Sequence, residues 1–358
     1  MKVLPAFSYQ SSTFFYLIST LLCLMTTLNT AYATSYDDLA PHPPSGSPWS
    51  EQWFYNLNDP DHGYFKVTLQ TYITPDSNQQ SLGGYVHFAY SSKAGITKTY
   101  EYFSDEVIVE QVPGAKGNSF HFQIPGIVDA DENTLSLTLQ DINFHMSWVG
   151  VHTPYWSTLN PAQSPFRILS ELPGLGAHWF VWTIKTPTQY TYSDDGQNLS
   201  GFGWSNVDKG WYDKEVYGSY MYALAVTGQY QLLLSGGTAK NNAIEVWAGQ
   251  FRSEDEVVSF LPTFKGLGVK RTLDTCRGLL DIELNKVSRK LVIHAQSEPS
   301  DFYDARMPSQ IVFNAEKPVM KTMRASFNIK VYHWGQLQKE VTLPQGLMEF
   351  AGEAYCDQ

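Results

Sequence analysis

Basic clusters, cysteines and catalytic signatures are all scarce in this chain, and each shortage narrows what it can be. Its 24 Lys and Arg are outnumbered by 35 Asp and Glu, giving a formal charge of −11. An acidic surface without basic clusters argues against nucleic acid and anionic lipid headgroups as partners, and leaves an apolar ligand open. There are three cysteines and no CxxC pair, which argues against a redox or zinc-ribbon role. No GxSxG elbow, HExxH, Walker A or post-strand GxGxxG occurs. The nine histidines are scattered, with no His-x-His pair. Asp129-x-Asp131-x-Asn133 starts like a calcium loop, but Thr134 stands where glycine belongs and Gln140 where the closing glutamate belongs. It reads as an acidic turn, and no metal set is expected. Amphipathic helices are confined to short pieces, and no exact internal repeat is visible.

The first stretch of the sequence concerns export. Phe14–Leu28 is mostly apolar and uncharged, Lys2 supplies a positive start, and Ala31-Tyr32-Ala33 is a small-x-small cleavage step. A bilayer span needs about 20 apolar residues, so cleavage after Ala33 is expected over an uncleaved anchor. No later run is long and apolar enough to span a membrane. Cys23 leaves with this leader. The remaining Cys276 and Cys356 are expected to pair in an oxidising compartment, the alternative being two separate buried thiols. The expected location is periplasmic or secreted. The sequence leaves the oligomeric state open.

After an extended Pro-rich lead-in over 34–49, the dominant period is two. Phe65, Val67 and Leu69 alternate with Lys66, Thr68 and Gln70; Leu280, Ile282 and Leu284 with Asp281 and Glu283; Phe327, Ile329 and Val331 with Asn328 and Lys330. Such alternation marks antiparallel strands with one buried and one polar face. Turn signals such as Asn58-Asp59-Pro60-Asp61 and Asp194-Asp195-Gly196 separate them. The segment 153–176 breaks the pattern with prolines and glycines. The expectation is therefore an all-β protein of two packed antiparallel domains, barrels or sandwiches, over 50–160 and 161–358.

Two aromatic-rich segments stand out: Glu51-Gln52-Trp53-Phe54-Tyr55, and Gly203-Trp204-Ser205 followed by Asp208-Lys209-Gly210-Trp211. Asp-Lys-Gly is by itself good hairpin-turn chemistry, and a turn at 207–211 accounts for all three residues without catalysis. Trp53, Trp179 and Trp182 are readable as core, or as the lining of a barrel cavity.

The Glu-x-Trp-aromatic opening and the later Gly-Trp…Asp-Lys-Gly-Trp resemble the motifs of the tocopherol cyclase and hydroxyneurosporene hydratase group of tandem lipocalin-like proteins. The order of elements fits from about Ser50 onward. Asp208 replaces that group's Glu, Gly210 its Asn and Tyr212 its Gly. The resemblance implies acid-initiated alkene chemistry on an apolar, isoprenoid-type substrate. Asp208 would be the proton donor, and Glu51 would orient it or share the proton. Trp53, Trp179, Trp204, Trp211 and Tyr222 would line the cavity. Protonating an alkene requires a carboxylic acid kept neutral by burial, so Lys209 is expected to turn to solvent. No metal or organic cofactor is required. The alternatives are a non-catalytic lipid or pigment carrier and an envelope or secreted interaction protein.

Overall fold

The computed structural model describes residues 39–74, 82–114, 117–150, 165, 177–212, 217–239, 244–306 and 318–356. The expected leader, its cleavage step and most of 153–176 lie outside them. Among the described residues no helix is long and apolar enough to cross a membrane, and the strands form three antiparallel sheets.

The first sheet is made of β1 (Trp49–Asp59), β2 (Gly63–Ile73), β3 (Gly83–Ser92), β4 (Thr97–Ser104), β5 (Ile108–Gly114), β6 (Gly117–Ile124), β7 (Val128–Asp131), β8 (Thr134–Leu139), β9 (Ile142–Trp148), β10 (Ala177–Asp194) and β11 (Gln197–Tyr212). Its order is β4-β3-β2-β1-β11-β10-β9-β8-β7-β6-β5. The long β10–β11 hairpin thus joins the two meanders, pairing with β9 on one side and β1 on the other. The change of sheet falls after Tyr212 rather than at the Pro-rich segment, because this hairpin completes the first sheet. The curled sheet encloses a core that includes Trp53, Tyr55, Phe65, Phe88, Phe120 and Phe144.

The rest of the chain supplies β12 (Tyr217–Val226), β13 (Gln231–Ala239), β14 (Glu245–Arg252), β15 (Val257–Phe264), β16 (Val269–Asp274), β17 (Leu279–Asn285), β18 (Arg289–Gln296), β19 (Tyr303–Ala305), β20 (Val319–Thr322), β21 (Ser326–His333), β22 (Gln336–Leu343) and β23 (Leu347–Gly352). The second sheet runs β15-β14-β13-β12-β23-β20-β19, and the third β16-β17-β18-β21-β22. Their facing sides pack Trp247, Phe251, Ile282, Ile293, Phe327 and Phe350 into a second core. The expected bridge is present: Cys276, in a short 3-10 turn after β16, joins Cys356 beyond β23, with Cα atoms 5.1 Å apart.

A third cluster positions the site. Tyr64, Ala89, Trp179 and Val181 of the first sheet meet Tyr222, Leu224 and Leu347 of the second. The outer face of β1–β3 and β10–β11 is therefore covered, and β1, β2 and β3 are buried on nearly every residue. The alternation that predicts a solvated polar face here instead places a polar face inside the protein.

Candidate functional site

Antiparallel register decides which side chains share that covered face. Asp208 of β11 lies opposite Phe54 of β1, which lies opposite Thr68 of β2, which lies opposite His87 of β3. The neighbouring row is Asn206, Asn56, Lys66 and Ala89. Directly opposed residues point to the same side of a sheet. Facing them from the second sheet are Tyr222 of β12, Tyr303 of β19, Lys321 of β20 and Glu349 of β23.

Asp208 is 4% exposed. The Trp179 indole N–H donates to its Oδ2 at 2.8 Å, and the Asn206 and Asn56 side-chain amides to its Oδ1 at 2.9 and 3.5 Å. Burial pushes its pKa up to about 6, against the opposing pull of the Lys66 ammonium and the Trp179 and Asn206 hydrogen bonds. Lys66, 2% exposed, reaches Asn56 Oδ1 at 3.1 Å and Glu349 Oε1 at 3.0 Å. Lys321 lies 3.8 Å from the same Glu349 oxygen, and burial lowers its pKa to about 8. Burial alone would raise Glu349, but its two lysine partners hold it below the ordinary carboxylate value. Two buried carboxyls and two buried lysines thus occupy one interface.

Neutral polar groups complete the face. Burial, with Lys321 and Lys66 nearby, holds the His87 pKa well below its ordinary value, so the ring is uncharged. Burial likewise raises the Tyr222, Tyr64 and Tyr303 phenols well above theirs. Trp179 meets Tyr222 edge-on at 6.0 Å, and His87 stacks on Tyr303 at 5.8 Å.

The structure brings together only part of the residues marked out by sequence. Asp208, Trp179 and Tyr222 share the covered face, and Trp204 lies farther along it against the same interfacial cluster. Glu51, Trp53 and Trp211 point the other way, into the barrel-like curl of the first sheet, so the structure does not bring Glu51 to Asp208. Two sequence expectations are overturned. The 207–211 segment is not a turn but the C-terminal part of β11, and the turn is made by Asp195 and Gly196, both with positive φ. Gly210 sits in the strand where a Cβ would crowd the Tyr212 hydroxyl at 2.9 Å and the His178 carbonyl at 3.1 Å. Lys209 does not face solvent either. Strand alternation turns it away from Asp208 into the barrel end, where it is fully buried, 2.8 Å from Glu51. It also lies over the Trp53 and Trp211 rings and donates to the Ala40 carbonyl.

Sequence reading missed Lys66, His87, Tyr303, Lys321 and Glu349. The signal for Lys66 and Thr68 was present, but alternation cannot distinguish a solvated polar face from one covered by a distant sheet. A separate cavity of about 550 Å³ is lined by Glu245, Lys265, Arg271 and Glu353. There Glu245 already accepts from Arg271 at 2.6 and 2.9 Å and from the Trp247 indole at 2.7 Å.

No protein-family model and no curated protein matches the sequence. The architecture, a curled antiparallel sheet packed against two further antiparallel sheets, is shared with solved structures of low sequence identity. Among solved structures, the chain is similar to kievitone hydratase of Nectria haematococca, with a TM-score of 0.52 and 9% identity over 90% of this chain and 96% of that one. It is similar to a Nitrosomonas europaea protein assigned to AttH (0.53, 11%, 91% and 98%) and to CghA (0.56, 12%, 85% and 88%). At these identities the likeness is one of fold, and it does not reach the tocopherol cyclase group in particular.

Proposed function

We propose that this chain is an exported acid–base catalyst, a hydratase, cyclase or isomerase of a lipophilic, isoprenoid-type substrate bound between the first and second sheets. One observation carries the reading: a buried carboxyl, raised to about 6, hydrogen-bonded by Trp179, opposite Phe54 and beside Tyr222. At neutral pH about a tenth of such a group is protonated, so it is an acid strong enough to give up its proton and available enough to hold one. Asp208 gives its proton to one alkene carbon, and the other becomes electron-deficient. Water then adds there, a substrate nucleophile closes a ring, or a neighbouring proton leaves to shift the double bond. The Asp208 carboxylate recovers a proton at the end. Aromatic faces and exclusion of water protect the cationic stage. The disulfide supports export, because such bridges persist in oxidising compartments. Kievitone hydratase supports the view that this fold accommodates hydration.

The second reading is a carrier, favoured by the engagement of both Asp208 oxygens with donors. One experiment separates the two. Lipophiles co-purifying with the protein are identified by mass spectrometry of an organic extract and offered back to wild type and Asp208→Asn. The catalyst reading expects turnover to fall at least about a hundredfold in the variant with binding within about twofold, since Asn has no proton to give. It also expects the wild-type rate to decline as pH rises through about 6. Equal behaviour of the two proteins, or no conversion of any bound lipophile, leaves the carrier.

A further inference from the structure

The covered face holds more polar chemistry than proton donation by Asp208 uses. Asp208 and His87 lie in one transverse row, with Phe54 and Thr68 between them. Three strand spacings put their backbones about 14 Å apart. At the His87 end, both ring nitrogens, the Thr68 hydroxyl and the Tyr303 hydroxyl have no hydrogen-bond partner among the described residues, nor does Tyr222 near Asp208. His87 is 1% exposed. Buried polar atoms are overwhelmingly paired, and leaving one unpaired costs about 1–3 kcal/mol. Several such groups converging on one interface between two sheets mark a place built for a polar atom of something else.

The charges on this face say what kind of atom it is. Lys66 and Lys321 are matched by Glu349 and Asp208, so no cation is left over to hold a carboxylate or phosphate. The unpartnered groups at the His87 end are all neutral. An uncharged imidazole offers one N–H and one acceptor, and the hydroxyls each offer one donor. Such a set suits a carbonyl or hydroxyl oxygen.

We infer that the substrate is an oxygenated lipophile, with its reactive double bond at Asp208 and an uncharged oxygen held by His87 and the adjoining hydroxyls on the order of 10 Å away. The inference rests on the proposed site, and it adds a specificity-determining role for His87. A pure hydrocarbon would leave those groups unpaired, and discrimination against ligands lacking a required oxygen follows from that cost.

Calorimetric titration tests this with three probes of matched length: geranylacetone, the hydrocarbon in which methylene replaces its carbonyl, and the corresponding carboxylic acid at pH 7.5. Wild type is expected to bind the ketone about tenfold more tightly than the hydrocarbon, the worth of one neutral hydrogen bond, and the carboxylate no better than the hydrocarbon. His87→Phe should shrink the ketone preference to about twofold while leaving hydrocarbon affinity unchanged. His87→Gln, which keeps a donor and an acceptor, should retain part of it, and serves if the Phe variant fails to fold. Asp208→Asn should preserve the ketone preference. Equal binding of ketone and hydrocarbon, a preference that survives both His87 variants, or tightest binding of the carboxylate would each overturn the inference. The catalyst reading is decided separately, by the turnover of Asp208→Asn. Failure of all three probes to bind would overturn the site and this inference together.

Discussion

At the scale of single residues, Asp208 shows how burial changes what a common side chain can do. Its carboxyl titrates near 6 in the folded protein, against an ordinary value near 3.8. Between these values the folded chain holds a proton that the unfolded chain has released, so stability falls as pH rises across that interval and levels off above it. Two pKa units correspond to roughly 3 kcal/mol, an upper bound for a group wired to several neighbours. Urea denaturation of wild type and Asp208→Asn at intervals from pH 4 to 7 should therefore show the wild type losing ground to the variant up to about pH 6. A difference that stays flat, or grows in the wild type's favour, would mean that the carboxyl is not raised. The same residue carries a lesson about legibility. Asp-Lys-Gly has the composition of a turn, and nothing local distinguishes that from a strand running between a barrel core and a second sheet.

At the scale of elements, the strands were readable and their surroundings were not. The half-exposed strands of the third sheet follow their alternation, with Leu280, Ile282 and Leu284 buried as expected. In β2 the same alternation holds, but Lys66, Thr68 and Gln70 are buried too. Local sequence reports the period, whereas the cover comes from β12, β20 and β23, more than a hundred residues away. The β1–β11 pairing is fastened on its barrel side by Lys209 and Glu51, whose side chains are almost wholly buried. The lead-in adds to this clip: the His42 backbone N–H donates to Glu51 at 3.1 Å, and the Trp53 indole to the Leu39 carbonyl at 3.2 Å. Removing one member leaves the other charge buried and unmatched, at a cost of about 3–5 kcal/mol. Glu51→Gln and Lys209→Met should each destabilise by that order in chemical denaturation. The double variant should lose much less than their sum. Additive losses would show that the two charges are not energetically coupled.

At the scale of the molecule, the disulfide and the buried interface act on different joints. Cys276 and Cys356 are 80 residues apart and tie the end of β16 in the third sheet to the end of β23 in the second. The chain-entropy model gives roughly 4–5 kcal/mol for closing such a loop, and loss of a native bridge commonly costs 2–5 kcal/mol. No free thiol is expected at these two positions in denatured, unreduced protein. Reduction, or paired Cys276→Ser and Cys356→Ser substitution, should loosen the second and third sheets first. The effect does not stop there, because β23 also carries Glu349, the counter-charge of Lys66 in β2. The Asn58 amide reaches across the same interface to the Val226 carbonyl at 2.5 Å. Loosening β23 would therefore expose two buried lysines and disturb the field around Asp208, although the bridge lies outside the site. Reduction is expected to lower the unfolding free energy by roughly 2–5 kcal/mol in one transition, seen alike by far-UV circular dichroism and tryptophan fluorescence. Two separated transitions, the first leaving the fluorescence of Trp53 and Trp179 unchanged, would show that the first sheet stands without its cover and that the polar interface does not couple the sheets.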